Sequence, residues 1–346
     1  KRKYMKWIFK NRMKREKGNR NITIVPTLKD EIDENAIWCA TFKLVWNDFQ
    51  YEILKNDFEI EETNQSLNNL ISDTLGEEVL SKEDYYKIAA QATVDLKRRI
   101  EEELDLKFNE KSEMLDNIKF DKDEKNANIL LYTILKKTFW FEHKFCELAK
   151  GSFGNSESIV EYFGLDNNSS EKKDIMNQIK VLFYNSNTDF SVKLNTKSKD
   201  NIILYRTNDS NNFENTFNTI IQKSNNNLNN NFNYMDTLRI PNLSFNVLKN
   251  YDEVRNKIFK RKMDKEEYSI SEAMQLIKFK LDKTGGEVKS EAYISAKIGA
   301  AYIPDEKIPE PRNFNFDDTF YLFLIEEGKE KPYMAIRIQD IENFIN

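Results

Sequence analysis

Apolar and charged positions alternate one for one near the C-terminus. Ile277, Phe279 and Leu281 fall on one side of an extended chain, and Lys278, Lys280 and Asp282 on the other. That period of two predicts a half-buried strand over 271–283. Thr284-Gly285-Gly286-Glu287 and a long run of small and mixed residues follow, then a nearly unbroken apolar stretch over 319–325 that reads as a second, more buried strand. A connection of this length is uncommon in a compact domain unless it is functional.

Upstream, the residues from Val181 read as a meander of short strands, VLFY, DFSVKL and NIILYR, joined by Asn/Ser/Asp turns. Residues 127–145 are apolar and rich in strand formers. Residues 36–54 and 85–108 carry apolar positions at helical spacing (Ile37, Ala40, Leu44 and Val45; Ile88, Ala92, Leu96, Ile100 and Leu104) and predict two long helices. Ser81 with Asp84 suggests the second helix start. The segment YDEVRNKIF at 251–259 predicts a short helix, 237–246 a strand with Pro241 at an edge or bulge, and the Asn-rich 224–233 a surface loop. Helices concentrated in the first third and strands thereafter predict an α+β arrangement in a single unit.

Composition narrows the function. The chain has 346 residues, with 53 Lys+Arg against 58 Asp+Glu, so no broad positive field invites nucleic acid. A basic stretch at 1–20 reads as an N-terminal helix or extension. There is no apolar run long enough to span a bilayer. Cys39 and Cys146 sit in apolar contexts and read as free, buried thiols. With one histidine, His143, and none of the nucleotide, metalloprotease or nucleophile-elbow motifs, the chain asks for no cofactor or metal and gives an enzyme little to work with. Only 9 Gly and 6 Pro are present, which makes the Gly285-Gly286 pair and the cluster Pro304, Pro309 and Pro311 informative.

The stretch from Ser271-Glu272-Ala273-Met274-Gln275 through the strand to Thr284-Gly285-Gly286-Glu287 resembles, without gaps, the serpin pattern Ser-Lys-(Ala/Val)-hydrophobic-His, alternating strand, acidic-Gly-Thr-Glu hinge. Four further segments are similar to serpin segments in the same order: NILLYTILKKTFW at 128–140, the meander at 181–206, TLRIPNLSFNVLKNYDEVRNKIF at 237–259, and IPEPRNFNFDDTFYLFLIEEGKEKPYMAIRI near the end. The resemblance covers roughly 128–346 and suggests a divergent, bacterial-type member. The N-terminal third matches poorly, and Gln275 stands where the family has histidine, which puts the polar cluster beneath the central sheet in doubt.

The resemblance implies a serpin-like α+β fold and a protease inhibitor. In such a protein a target protease cleaves an exposed loop, which then inserts into the central sheet as an added strand. It implies a hinge at Thr284, Gly285, Gly286 and Glu287 and a loop over 285–311. Insertion in register turns Gly286, Val288, Ser290, Ala292, Ile294 and Ala296 inward and leaves Lys289, Glu291 and Lys297 in solvent. The scissile position is open between Lys297, Gly299 and Lys307, with Lys297 suiting a trypsin-like protease. The partner implied is a serine or cysteine protease, and the protein a monomer; a secreted or surface setting is preferred over the cytoplasm. Two alternatives stay open: a non-inhibitory binding or structural protein on the same frame, and an unrelated α+β protein in which 285–304 is an edge strand and a loop.

Overall fold

The computed structural model describes residues 22–109, 111–112, 115–123, 128–169, 171–227, 231–288 and 310–345. The basic stretch 1–20 lies outside them. Three sheets account for the strands. The first, seven-stranded, has β1 (Thr23–Val25) parallel to β2 (Ala36–Cys39), then β19 (Met334–Ile338), β18 (Phe320–Glu326), β11 (Asp200–Arg206), β10 (Asp189–Asn195) and β9 (Ile179–Ser186) antiparallel in that order. Every residue of β18 and β19 is buried, which is why this stretch reads as continuous apolar sequence. The second sheet holds β7 (Cys146–Gly151), β8 (Val160–Leu165), β12 (Thr237–Pro241) and β17 (Asn313–Asn315).

The third, eight-stranded, is built on β15 (Glu267–Asp282). It also contains β3 (Phe58–Ile60), β4 (Tyr85–Gln91), β5 (Ile129–Leu135), β6 (Lys137–Trp140), β13 (Leu243–Asn250), β14 (Ile258–Arg261) and β16 (Gly285–Val288). From Ala273 to Leu281 every second residue of β15 is buried, as the alternation requires.

Helices cluster early: α1 (Ala40–Asn47), α2 (Gln65–Ser72) and α3 (Val94–Phe108), with α4 (Lys172–Met176) and α5 (Phe213–Asn225) later. The fold class is α+β, but several element boundaries differ from expectation. Residues 36–54 are not one helix. Ala36–Cys39 is a strand inside the seven-stranded sheet, buried on both faces, and the helix begins only at Ala40 before widening to a π-turn over Asp48–Ile53. A strand covered on both faces is apolar at every position and cannot be told from a buried helix by period alone.

Residues 85–108 likewise divide. Tyr85–Gln91 is strand β4, and α3 starts after Thr93, whose hydroxyl accepts from the Leu96 amide at 3.1 Å. Ser81 instead precedes a short 3₁₀ turn over Lys82–Asp84. The expected helix at 251–259 is a series of turns through Asn256, where φ is +57°, followed by β14. The 237–246 strand is two strands in different sheets, breaking at Asn242. The Asn-rich segment begins inside α5, capped by Asn212, whose side chain accepts from the Asn215 amide.

Candidate functional site

A fork in the eight-stranded sheet holds the predicted hinge. β5 and β15 are parallel and directly paired over their first halves, from Ile270↔Ile129 to Gln275↔Thr133. Beyond Thr133 the two strands part. β16 enters the gap from the top, antiparallel to both neighbours: Leu281↔Gly286 on one side and Phe139↔Gly286 on the other. Between the end of the β5 ladder and the start of the β16 ladder, residues 276–279 of β15 pair only with β13 among the described residues. The sheet is thus closed below, wedged above, and slotted in between.

The wedge is made by local chemistry. Asp282 and Gly285 close a two-residue turn over Lys283 and Thr284. The Thr284 amide and hydroxyl both donate to Asp282 Oδ1, at 2.8 and 2.5 Å. Burial pushes the Asp282 carboxyl up, but these hydrogen bonds and Lys280 more than offset it, so its pKa lies below the ordinary value. The carbonyls of Lys283 and Thr284 accept from the Phe145 and Phe141 amides at 2.9 and 3.1 Å. Gly285 has φ of +146°, and a Cβ there would fall 2.2 Å from the Phe139 carbonyl oxygen. Gly286 is equally crowded by the Phe139 ring. Gly285 therefore admits no other residue without strain, while at Gly286 a Cβ fits only if the Phe139 ring moves.

The structure therefore brings Thr284, Gly285, Gly286, Glu287 and Val288 together in the turn and wedge, with Gly286 buried on the inner face beside Leu281. Ser290, Ala292, Ile294, Ala296, Lys297, Gly299 and Lys307 lie outside the described residues. The far end of the connection is fixed at Arg312. Its backbone amide donates to Asp236 Oδ1 at 2.9 Å and its guanidinium to Asp236 Oδ2 at 2.7 Å, where the Asp236 carboxylate is fully buried. β17 then runs parallel to β12.

A polar cluster does sit beneath the closed half of the sheet, in altered form. Gln275 Oε1 accepts from the Tyr251 hydroxyl at 2.7 Å, and its Nε2 donates to Thr41 Oγ1 at 2.8 Å and to the Cys39 carbonyl at 3.3 Å. It ties β15 to the start of α1 at the last residue pair before the fork. Burial holds the Cys39 thiol above its ordinary pKa, whereas Cys146, expected to be buried, is only half-buried on β7. Sequence reasoning flagged Gln275 but not Thr41, Tyr251 or Asp236, whose roles depend on partners far away in the chain.

No protein-family model matches the chain, and no curated protein matches it. Solved structures that resemble it include Tengpin, a thermophilic serpin in its native state, at 12% identity and a TM-score of 0.49 over 90% of each chain. Serpin48 of the insect Tenebrio molitor is similar at 12% identity and a TM-score of 0.45, over 91% of this chain and 93% of that one. The described fold is α+β, and the solved structures it resembles here are serpins. Human thyroxine-binding globulin, solved with thyroxine, is also similar, at 10% identity and a TM-score of 0.45. The match extends over 63% and 66% of the two thyroxine-binding globulin chains. No helix among the described residues is long and apolar enough to cross a membrane.

Proposed function

We propose that the chain acts as one unit and inhibits a serine or cysteine protease by loop cleavage followed by strand insertion. The observation that carries this reading is the fork: a strand already seated between β15 and β6, pointing down a slot whose lower end is closed only by the β5–β15 ladder. Continuing both wedge registers one for one puts position 290 opposite Ile277 and Leu135, and position 292 opposite Gln275 and Thr133. Ile277 lies on the buried face. Val288, Ser290, Ala292, Ile294 and Ala296 then take inward positions, and no charge is buried.

Cleavage supplies the freedom to move, since Arg312 anchors the far end of the connection. Insertion exchanges the short parallel ladder for two longer antiparallel ones. Each added backbone hydrogen bond contributes about 1 kcal/mol net, so the cleaved form is the more stable. Lys297 is the preferred scissile residue, with Gly299 and Lys307 the alternatives; a basic residue there selects a trypsin-like enzyme with an acid in its specificity pocket.

The test mixes the protein with broad-specificity serine and cysteine proteases. An SDS-resistant complex is expected, together with a large rise in melting temperature after nicking. Ser290→Arg, which puts a charge against Ile277, should keep the intact fold and abolish the rise. Nicking within 289–309 with no change in melting temperature and no complex would instead make the protein a non-inhibitory binder on the same frame.

A further inference from the structure

Val288, the last residue of the wedge, is the ladder partner of Lys137. The Lys137 side chain leaves β6 on the buried side and is 7% exposed. Its ammonium reaches Asp84 Oδ2 at 2.9 Å, Asp200 Oδ1 at 3.0 Å, and Glu326 Oε1. These partners belong to different layers. Asp84 closes the 3₁₀ turn next to β4, whereas Asp200 and Glu326 sit directly opposite each other on β11 and β18 of the seven-stranded sheet. Two acids facing each other across a ladder repel unless something bridges them. Lys137 is that bridge, and it ties the wedge strand's neighbour to the sheet behind it.

The remaining groups that face the cluster are also known. Tyr333, in the turn before β19, donates its hydroxyl to Asp200 Oδ1 at 3.1 Å, and its ring lies 5.0 Å from the ammonium. Ser81 donates its amide to Glu326 Oε1 at 2.9 Å and its hydroxyl to Glu326 Oε2 at 2.8 Å. With three carboxylates and one ammonium, the buried cluster carries an excess of two negative charges. Asp200 Oδ2 is buried without a hydrogen-bond partner, whereas Glu326 is held by Lys137 and by both the amide and the hydroxyl of Ser81, and Asp84 is partly open to solvent.

We propose that Lys137 with Asp84, Asp200 and Glu326 is a proton-operated clamp on the slot, holding β6 to the seven-stranded sheet more firmly at acid than at neutral pH. A proton taken from solvent by Asp200 removes one of the two opposed charges, while Lys137 keeps Glu326 and Asp84. Burial already pushes Asp200 up to about 6, whereas the hydrogen bonds from Lys137 and Ser81 hold Glu326 below its ordinary value despite its burial. If β6 lifts away, Asp200 meets water and loses that preference. Linkage then makes opening about tenfold harder at pH 5 than at pH 7.5. This inference rests on the slot being the moving part and not on inhibition itself.

Hydrogen–deuterium exchange of the β6 and β16 amides, corrected for intrinsic rates, tests the clamp on the intact chain. Protection about tenfold greater at pH 5 than at pH 7.5 is expected. Asp200→Asn should be flat with pH and at least as protected as the wild type at pH 5. Should that variant fold poorly, Glu326→Gln relieves the same repulsion and should move the midpoint of the change to lower pH. Equal protection at both pH values in the wild type, or an undiminished difference in the folded variant, overturns the clamp. Absence of a stability gain on nicking would count against the inhibitor reading alone, because exchange in the intact chain does not depend on cleavage.

Discussion

Gly286 packs against the ring of Phe139, so close that a Cβ on it would fall 2.2 Å from two ring carbons. Gly285, one residue before, is blocked by the backbone of the same strand: its Cβ would meet the Phe139 carbonyl oxygen at 2.2 Å and the Trp140 Cα at 2.8 Å. The two glycines thus fail in different ways when replaced. Gly286→Ala should cost about 1–3 kcal/mol by overpacking, and Phe139→Leu in the same chain should recover most of it. Gly285→Ala adds strain at φ of +146°, and no change at Phe139 should rescue it. Denaturant unfolding of the four variants gives the answer, and equal rescue of both alanines would show that the wedge packs otherwise.

Gln275 is satisfied on both ends of its amide and is 1% exposed. Gln275→Leu keeps the volume but strands the Tyr251 hydroxyl and the Thr41 hydroxyl in a dry site, which should cost about 1–3 kcal/mol or more. Tyr251→Phe added to Gln275→Leu should cost less than the sum of the two single changes, because the second removes a group the first left unpaired. Additivity in chemical denaturation would mean that the two residues do not share this bond.

The strand β15 was readable because one of its faces is fully buried and the other only partly, which imposes a period of two on its residues. The meander β9–β11 was readable by its turns. β2 and β4 were not. β2 is covered on both faces, and in β4 five consecutive residues are half-buried, so neither alternates. Ile88, Ala92 and Leu96 then line up four apart by coincidence with the helix that follows. α5 hides its apolar face, Phe213, Phe217 and Ile220, among asparagines. At the site, the two glycines announced a special backbone, but their position in a fork depends on β6, well over a hundred residues earlier. Nothing in ILKKTFW marks Lys137 as the buried lysine of the pair, since its three carboxylate partners come from three separate segments.

Arg312 and Asp236 join the far end of the connection to the start of β12. Arg312→Ala should leave a fully buried carboxylate without its counter-charge, at about 3–5 kcal/mol. Asp236→Asn combined with Arg312→Met should recover a large part of this, since no uncompensated charge remains. Thermal unfolding decides between the two outcomes: a single variant as stable as the double would mean that solvent already reaches Asp236.

Asp200 gives the stability of the intact protein a pH dependence of definite sign. Its pKa in the folded chain is raised from 3.8 to about 6, chiefly by burial. A raised carboxyl contributes stability that is fully present below its unfolded value and lost as pH rises through about 6. Glu326 acts oppositely. Its lowered pKa contributes stability above the ordinary carboxylate value, lost as pH falls through the folded one. Between pH 5 and 7.5 only Asp200 of these two titrates, so its contribution should lower the melting temperature as pH rises. Asp200→Asn removes that charge while Lys137 keeps Glu326 and Asp84 as partners, so the usual penalty for orphaning a buried cation does not apply. The variant should be more stable than the wild type by about 2–3 kcal/mol at pH 7.5, with the difference vanishing near pH 4. Calorimetric melting curves of both proteins across this range are the measurement. A variant less stable than the wild type at pH 7.5 would mean that the attraction between Lys137 and Asp200 outweighs the cost of burying the carboxylate.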